Sequence, residues 1–165
     1  MEFIGLLYRA LNPVYAAAPL SGRGAELFGG RFNPKGMPAL YTALSPELAI
    51  RESNQVGNLQ PTTLVAYRAK ISGLFDARDE SELRRQSKSL EAIARSDWRL
   101  TAPNSAGQQL ARDLSDTGFP GLIAYSYSKG AKTTDFNIVL WRWGKGAGPE
   151  LTVIDDEDRL KNTAE

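Results

Sequence analysis

Short apolar segments at residues 3–11, 39–43, 62–71, 121–125, 136–143 and 151–154 mix with helical patterns without a strict βαβ alternation. That order favours an α+β fold over a doubly wound parallel sheet. Residues 62–71 show the strand period most plainly. Leu64, Ala66 and Arg68 fall on one side, Val65, Tyr67 and Ala69 on the other. Ser45 before Pro46 marks a helix start, because a serine hydroxyl caps a free amide and proline has no amide hydrogen to leave unpaired. This helix is expected to run to about Val56 and stop before Gly57. One amphipathic helix is expected over residues 80–95, carrying Leu83, Leu90, Ile93 and Ala94 among charges, and a shorter one over 105–116. Residues 12–38 are rich in Gly, Pro and Ala and lack periodicity, and a loop that long in a compact domain is usually functional. A Gly-rich segment, 144–148, leads to the last strand, and residues 155–165 read as a helical or frayed tail.

Composition removes several chemistries. The chain has 165 residues, which predicts one domain over 1–165, and a formal net charge of +1 with scattered basic residues, which argues against nucleic acid as a partner. It has no cysteine and no histidine, so disulfides, thiolate nucleophiles, Ser-His-Asp hydrolysis and Cys/His zinc sites are excluded, and no metal is expected. Any general base must be Asp, Glu, Lys or Tyr. No apolar run approaches the roughly 20 residues of a membrane span. Glu2 stands where a signal peptide would be positive and Arg9 interrupts the apolar stretch, so a cytoplasmic protein is expected.

The candidate chemistry lies between Gly29 and Glu52. Arg31, Tyr41 and Glu52 follow one another at intervals of ten and eleven residues, in an expected loop, strand and helix. Leu48, Glu52 and Val56 share a helix face, so Glu52 sits on an inward stripe, a conflict of pattern and chemistry that tends to mark function. The alternative is a slightly rotated helix with Glu52 solvated beside Arg51 or Arg9. Arg31 follows two glycines that permit close backbone approach to a ligand, and its fork suits phosphate oxygens, as does that of Arg9 at a strand end. Either arginine could equally be solvated. Tyr41 could stack on a flat ring or fill the core. Residues 125–130, Tyr-Ser-Tyr-Ser-Lys-Gly, place hydroxyls and a cation after a buried strand, as a ligand site or as an ordinary polar turn, and lack the P-loop spacing. Trp98, Trp141 and Trp143 are expected in the core, and Arg84, Arg85, Lys88 and Arg95 on a solvated face.

The chain resembles the RES domain of bacterial toxin–antitoxin pairs. The likeness is carried by Tyr8-Arg9, Gly30-Arg31-Phe32-Asn33, Ala39-Leu40-Tyr41, Ser45-Pro46-Glu47 with Ala49 and Glu52, and Gly121-Leu122 leading to Ser126 and Asn137. The resemblance implies an ADP-ribosyltransferase-like fold, a split mixed sheet flanked by helices, and NAD as consumed substrate. It also implies an Xre-like antitoxin that blocks the NAD pocket. The family triplet maps onto Arg31, Glu52 and Ser126. By that likeness Arg9 and Arg31 hold the pyrophosphate or nicotinamide end, Tyr41 stacks near nicotinamide, Glu52 is the catalytic carboxylate and Ser126 lines the pocket. Arginine-modifying ADP-ribosyltransferases generally carry Glu or Gln two residues before that glutamate, and this chain has Ile50 there.

The expected function is therefore a cytoplasmic toxin that cleaves the nicotinamide–ribose bond and transfers ADP-ribose to a target protein. Its alternatives are an NAD glycohydrolase or phosphorylase and a non-catalytic nucleotide-binding module.

Overall fold

Strand β1 (Phe3–Leu11) runs antiparallel to β3 (Thr63–Ile71) along its whole length, from Phe3 opposite Ile71 to Leu11 opposite Thr63. In this computed structural model, which describes residues 1–55, 57–144, 146 and 148–162, that ladder anchors a seven-stranded sheet. The remaining strands are β2 (Leu40–Ala43), β4 (Phe75–Asp76), β5 (Gly121–Tyr125), β6 (Phe136–Leu140) and β7 (Glu150–Val153). The order is β4-β5-β6-β2-β1-β3-β7, with β4 and β5 parallel and the other pairs antiparallel. The fold is α+β with a mixed sheet, as expected.

The sheet is split. Its wings, β4-β5-β6-β2 and β1-β3-β7, meet through one register pair, Tyr8 opposite Ala43. Each face of β5 and β6 feeds a different core, as strand alternation requires. Leu122, Ala124 and Val139 pack with Leu83, Ile93, Leu110 and Leu114 from the helices. Ile123 and Ile138 pack instead with Leu7, Val65, Tyr67 and Ile71 of the other wing. Val65, Tyr67 and Ala69 are the buried side of β3, and the strand alternates as the sequence predicts.

Helix α2 (Pro46–Ser53) begins as the sequence predicts, the Ser45 hydroxyl accepting from the Leu48 amide at 3.1 Å. It ends at Ser53, short of the expected Val56, because the Asn54 side chain takes the Ile50 carbonyl at 2.9 Å and its backbone leaves the helical region at φ −120°. Val56 itself, Lys145 and Ala147 of the Gly-rich segment and residues 163–165 of the tail lie outside the described residues. The Asn54 amide, just past the helix, donates to the Arg51 carbonyl. Leu48 and Ala49 bury against Ala43, Tyr8 and Ala10, which fixes α2 over the seam. The tail carries a 3-10 helix over Arg159–Asn162.

Several expectations are corrected. The helix expected over 80–95 is two, α3 (Glu80–Arg85) and α4 (Leu90–Ala94). Ser87 takes a left-handed φ of 56° and Ser89 caps a new start through the Ala92 amide, so local hydroxyl capping overrides the apolar period. Strand β6 stops at Leu140: the Trp141 amide still donates to the Pro120 carbonyl at 2.8 Å, but proline has no amide hydrogen to return the bond. Within the expected loop 12–38 lie a 3-10 turn (Pro13–Tyr15) and α1 (Arg23–Phe28). β4 and α5 (Trp98–Thr101) are too short to leave a period, whereas α6 (Ala106–Asp116) is where the sequence places it.

Candidate active site

Glu52 lies one turn beyond Leu48 and meets the opposite wing at Ser126, just past β5, and at Asn137 on β6. Its Oε1 accepts from Ser126 Oγ at 2.5 Å and from Asn137 Nδ2 at 2.6 Å. Its Oε2 accepts from Gln55 Nε2 at 2.9 Å, and Gln55 is exposed. Ser126 Oγ spends its one hydrogen on the carboxylate, so the Ser128 hydroxyl, 2.8 Å away, and the Ser128 amide are donors to it. Glu52 pairs with neither arginine considered for it. Arg51 binds Asp135 at 2.9 Å, and Arg9 donates to the Pro19 and Ser21 carbonyls. The Asp135 carboxyl is held below its usual range by the Lys132 amide, with Arg51 adding to the effect.

Arg9, Arg31, Tyr41 and Glu52 line one cavity of about 280 Å³, with Trp98 and Tyr127 in the same wall. Ser126 is 7% exposed and stands behind Glu52 rather than in the wall. Three guanidinium groups, Arg9, Arg31 and Arg99, face a single carboxylate among the described lining residues, an electrostatic balance suited to an anionic ligand. No group of three or more acidic side chains that could hold a metal ion occurs among the described residues.

Arg31 is an anchored prong rather than a solvated loop residue. Its NH1 donates to the Ile93 and Arg95 carbonyls at 2.9 and 2.7 Å, and the guanidinium carbon lies 4.8 Å from the centre of the Tyr127 ring. Burial lowers its pKa, and the fields of Tyr127, Glu52 and Tyr41 oppose the shift. A guanidinium so placed remains a cation. Burial also pushes the Tyr127 hydroxyl up to about 12, so it is neutral and able to donate at physiological pH. The Tyr127 hydroxyl and Asn137 Oδ1 are buried without a hydrogen-bond partner. Two orphaned polar atoms in one wall, each costing roughly 1–3 kcal/mol, point to a ligand that supplies their partners.

Tyr41 both stands in the cavity wall and acts as a strut. Its hydroxyl donates to Asn33 Oδ1 at 2.7 Å and accepts from the Phe32 amide at 3.0 Å, and burial raises its pKa well above the usual tyrosine range. This revises the reason for Gly30. A Cβ there would stand 2.4 Å from the Tyr41 hydroxyl oxygen, so the strut, not an approaching ligand, demands glycine. Trp98 corrects a second expectation. Trp141 is core, whereas Trp98 lies half-buried on α5 in the cavity wall beside Arg99. Four residues of helix gave no period by which to place either. Asn137 was the more legible partner of Glu52, as a polar residue inside the apolar run 136–140.

Comparison with known proteins follows this geometry. The sequence profile of the RES domain matches residues 6–161. A protein named Toxin Res from Photorhabdus laumondii is 45% identical over 47 residues, 28% of this chain and 30% of the relative. Another Toxin Res, from Yersinia enterocolitica, is 46% identical over 48 residues, 29% of this chain and 32% of the relative. The chain thus matches less than a third of the length of either relative. In the crystal structure of the M. tuberculosis MbcT–MbcA toxin–antitoxin complex, one chain superposes with a TM-score of 0.61 at 20% identity, covering 94% of this chain and 84% of that one. The likeness is one of fold. Matched by the family profile over nearly its whole length, the chain belongs to the RES domain family.

Proposed function

We propose that the chain acts as a single RES domain over residues 1–165, a toxin of a toxin–antitoxin pair that cleaves the nicotinamide–ribose bond of NAD and transfers ADP-ribose to a target protein. The observation that carries this reading is one clamped carboxylate facing a cavity of guanidinium and aromatic groups. Nicotinamide in NAD is a cationic pyridinium and leaves as a neutral ring, so the departure needs no general acid. One carboxylate then serves where most glycosidases use two. Glu52, its Oε1 held from behind, offers Oε2 to a ribose hydroxyl and stabilises the positive charge that develops on the sugar. Arg9 and Arg31 take the anionic pyrophosphate, and the Tyr41 ring bounds the nicotinamide end. The cavity, at the low end of the roughly 300–1,000 Å³ typical of small-molecule sites, suits the nicotinamide riboside half, with the rest of the dinucleotide at its mouth.

The names of the relatives and of the structural neighbour support a toxin role and an antitoxin partner. In this reading an Xre-like antitoxin covers the cavity mouth in the cytoplasm, with no direct nucleic-acid or membrane contact. No helix among the described residues is long and apolar enough to cross a membrane.

One observation favours a second acceptor class. Ile50, two residues before Glu52, is 38% exposed and outside the cavity wall, so no second acid stands there to activate an arginine, which leaves other side chains, water or phosphate as acceptors. In the second reading water or phosphate takes the ADP-ribose. Labelled NAD mixed with purified protein and cell lysate decides between them. Label retained on a protein band supports transfer, soluble ADP-ribose or its phosphate supports the second reading, and intact NAD overturns both in favour of a binding module. Arg31→Ala is expected to weaken NAD binding by about 10- to 100-fold, the scale of one charge-assisted hydrogen bond, as read by calorimetry on the free protein. Unchanged affinity would remove Arg31 from the ligand set.

A further inference from the structure

We propose that Gln108, on α6, is a positioning residue for Arg31, fixing the turn that carries the guanidinium into the cavity. The proposal rests on the reading of Arg31 as an NAD ligand. Residues 30–33 form a tight turn in which the Gly30 amide donates to the Asn33 carbonyl at 2.9 Å and the Asn33 amide to the Gly30 carbonyl at 3.4 Å. Gln108 Nε2 reaches both of these carbonyls, at 3.1 and 3.4 Å. Its own Oε1 accepts from Ser105 Oγ at 3.0 Å, which sets the orientation of the amide.

Gln108 is 2% exposed on a helix face otherwise buried through Leu110, Ala111 and Leu114. An apolar residue would pack there without desolvating an amide, so the polar exception needs a reason. The turn supplies it. Next to Gln108, a Cβ on Gly107 would stand 2.4 Å from the Arg31 carbonyl oxygen, so α6 also touches the turn with bare backbone. The far end of Arg31 donates to the Ile93 and Arg95 carbonyls at the close of α4, which packs on α6. Both the root and the tip of the arginine are therefore referenced to one helical layer.

Gln108→Met keeps the volume and removes both donors. The expected result is a KM for NAD raised roughly tenfold with kcat little changed, since a ligand displaced by a fraction of an ångström loses binding first. In an Arg31→Ala background the same change is expected to alter KM by less than about twofold, because nothing remains to be positioned. An unchanged KM in the folded single variant, or effects that multiply fully in the double, overturns the proposal. Should Gln108→Met fail to fold, Gly107→Ala perturbs the same turn from the helix backbone and must give the same pattern. Wild-type protein that neither binds nor cleaves NAD sinks the functional reading instead. The Phe32 amide then decides, because its bond to Tyr41 survives only while the turn is held. Hydrogen exchange there accelerated roughly tenfold or more in Gln108→Met supports the clamp, and unchanged exchange refutes it.

Discussion

Glu52→Gln lowers NAD turnover roughly 10²–10³-fold while leaving NAD affinity little altered, the expected loss for one preorganised electrostatic group. The substitution is a clean probe because the local hydrogen bonds accommodate it. Ser126 Oγ and Asn137 Nδ2 both donate to Oε1, and an amide oxygen accepts both as a carboxylate oxygen does. The new amide nitrogen takes the place of Oε2, where exposed Gln55 can turn its own amide to accept. What disappears is the negative charge that would balance a developing oxocarbenium ion. Single-turnover assays beside calorimetry separate the two quantities. Turnover preserved in the variant would refute the role of Glu52, and affinity lost in parallel with turnover would make it a binding group only.

Gly30→Ala is expected to lower kcat/KM for NAD by about 10- to 100-fold, through KM, by displacing Arg31, a residue it does not itself contact through any functional group. The added methyl carbon would lie 2.4 Å from the Tyr41 hydroxyl oxygen and 2.7 Å from Asn33 Oδ1. Neither can retreat cheaply. Tyr41 is tied to the Phe32 amide, and Asn33, fully buried, donates to the Ala25, Pro34 and Met37 carbonyls. The turn must move instead, at an overpacking cost of about 1–3 kcal/mol. A shift of the thermal midpoint together with steady-state kinetics reads both effects. If the variant melts like the wild type and keeps its KM, the Tyr41–Asn33 strut is not what holds the arginine.

Much of this arrangement was written in local sequence signals. Alternation placed β3 and divided its side chains between two faces, and Ser45-Pro46 placed the start of α2, because both are decided by neighbours in the chain. Apolar spacing put Glu52 on an inward face, and the structure shows why a carboxylate stands there: its partners, Ser126 just past β5 and Asn137 on β6, lie more than seventy residues away in the chain. Pairings at that range leave no periodic trace. The same limit explains Trp98, on a helix of four residues, and the break at Ser87, where a left-handed residue and the Ser89 cap overrule an apolar period that ran on through them. Gly30 was legible as a special position, but its cause, the phenol of Tyr41, lay in the folded geometry alone.

The seam between β1 and β2 has a consequence for how this protein tolerates change. With one backbone register pair joining the wings, the bonds from Glu52 on α2 to Ser126 and Asn137 on the far side act as a polar rivet beside the shared core of Leu7, Ile123 and Ile138. The side chain best placed for chemistry is thus also a fastener. Truncating it would loosen the molecule as well as silence it, whereas a side chain that keeps the oxygen acceptor, as glutamine does, would separate the two effects.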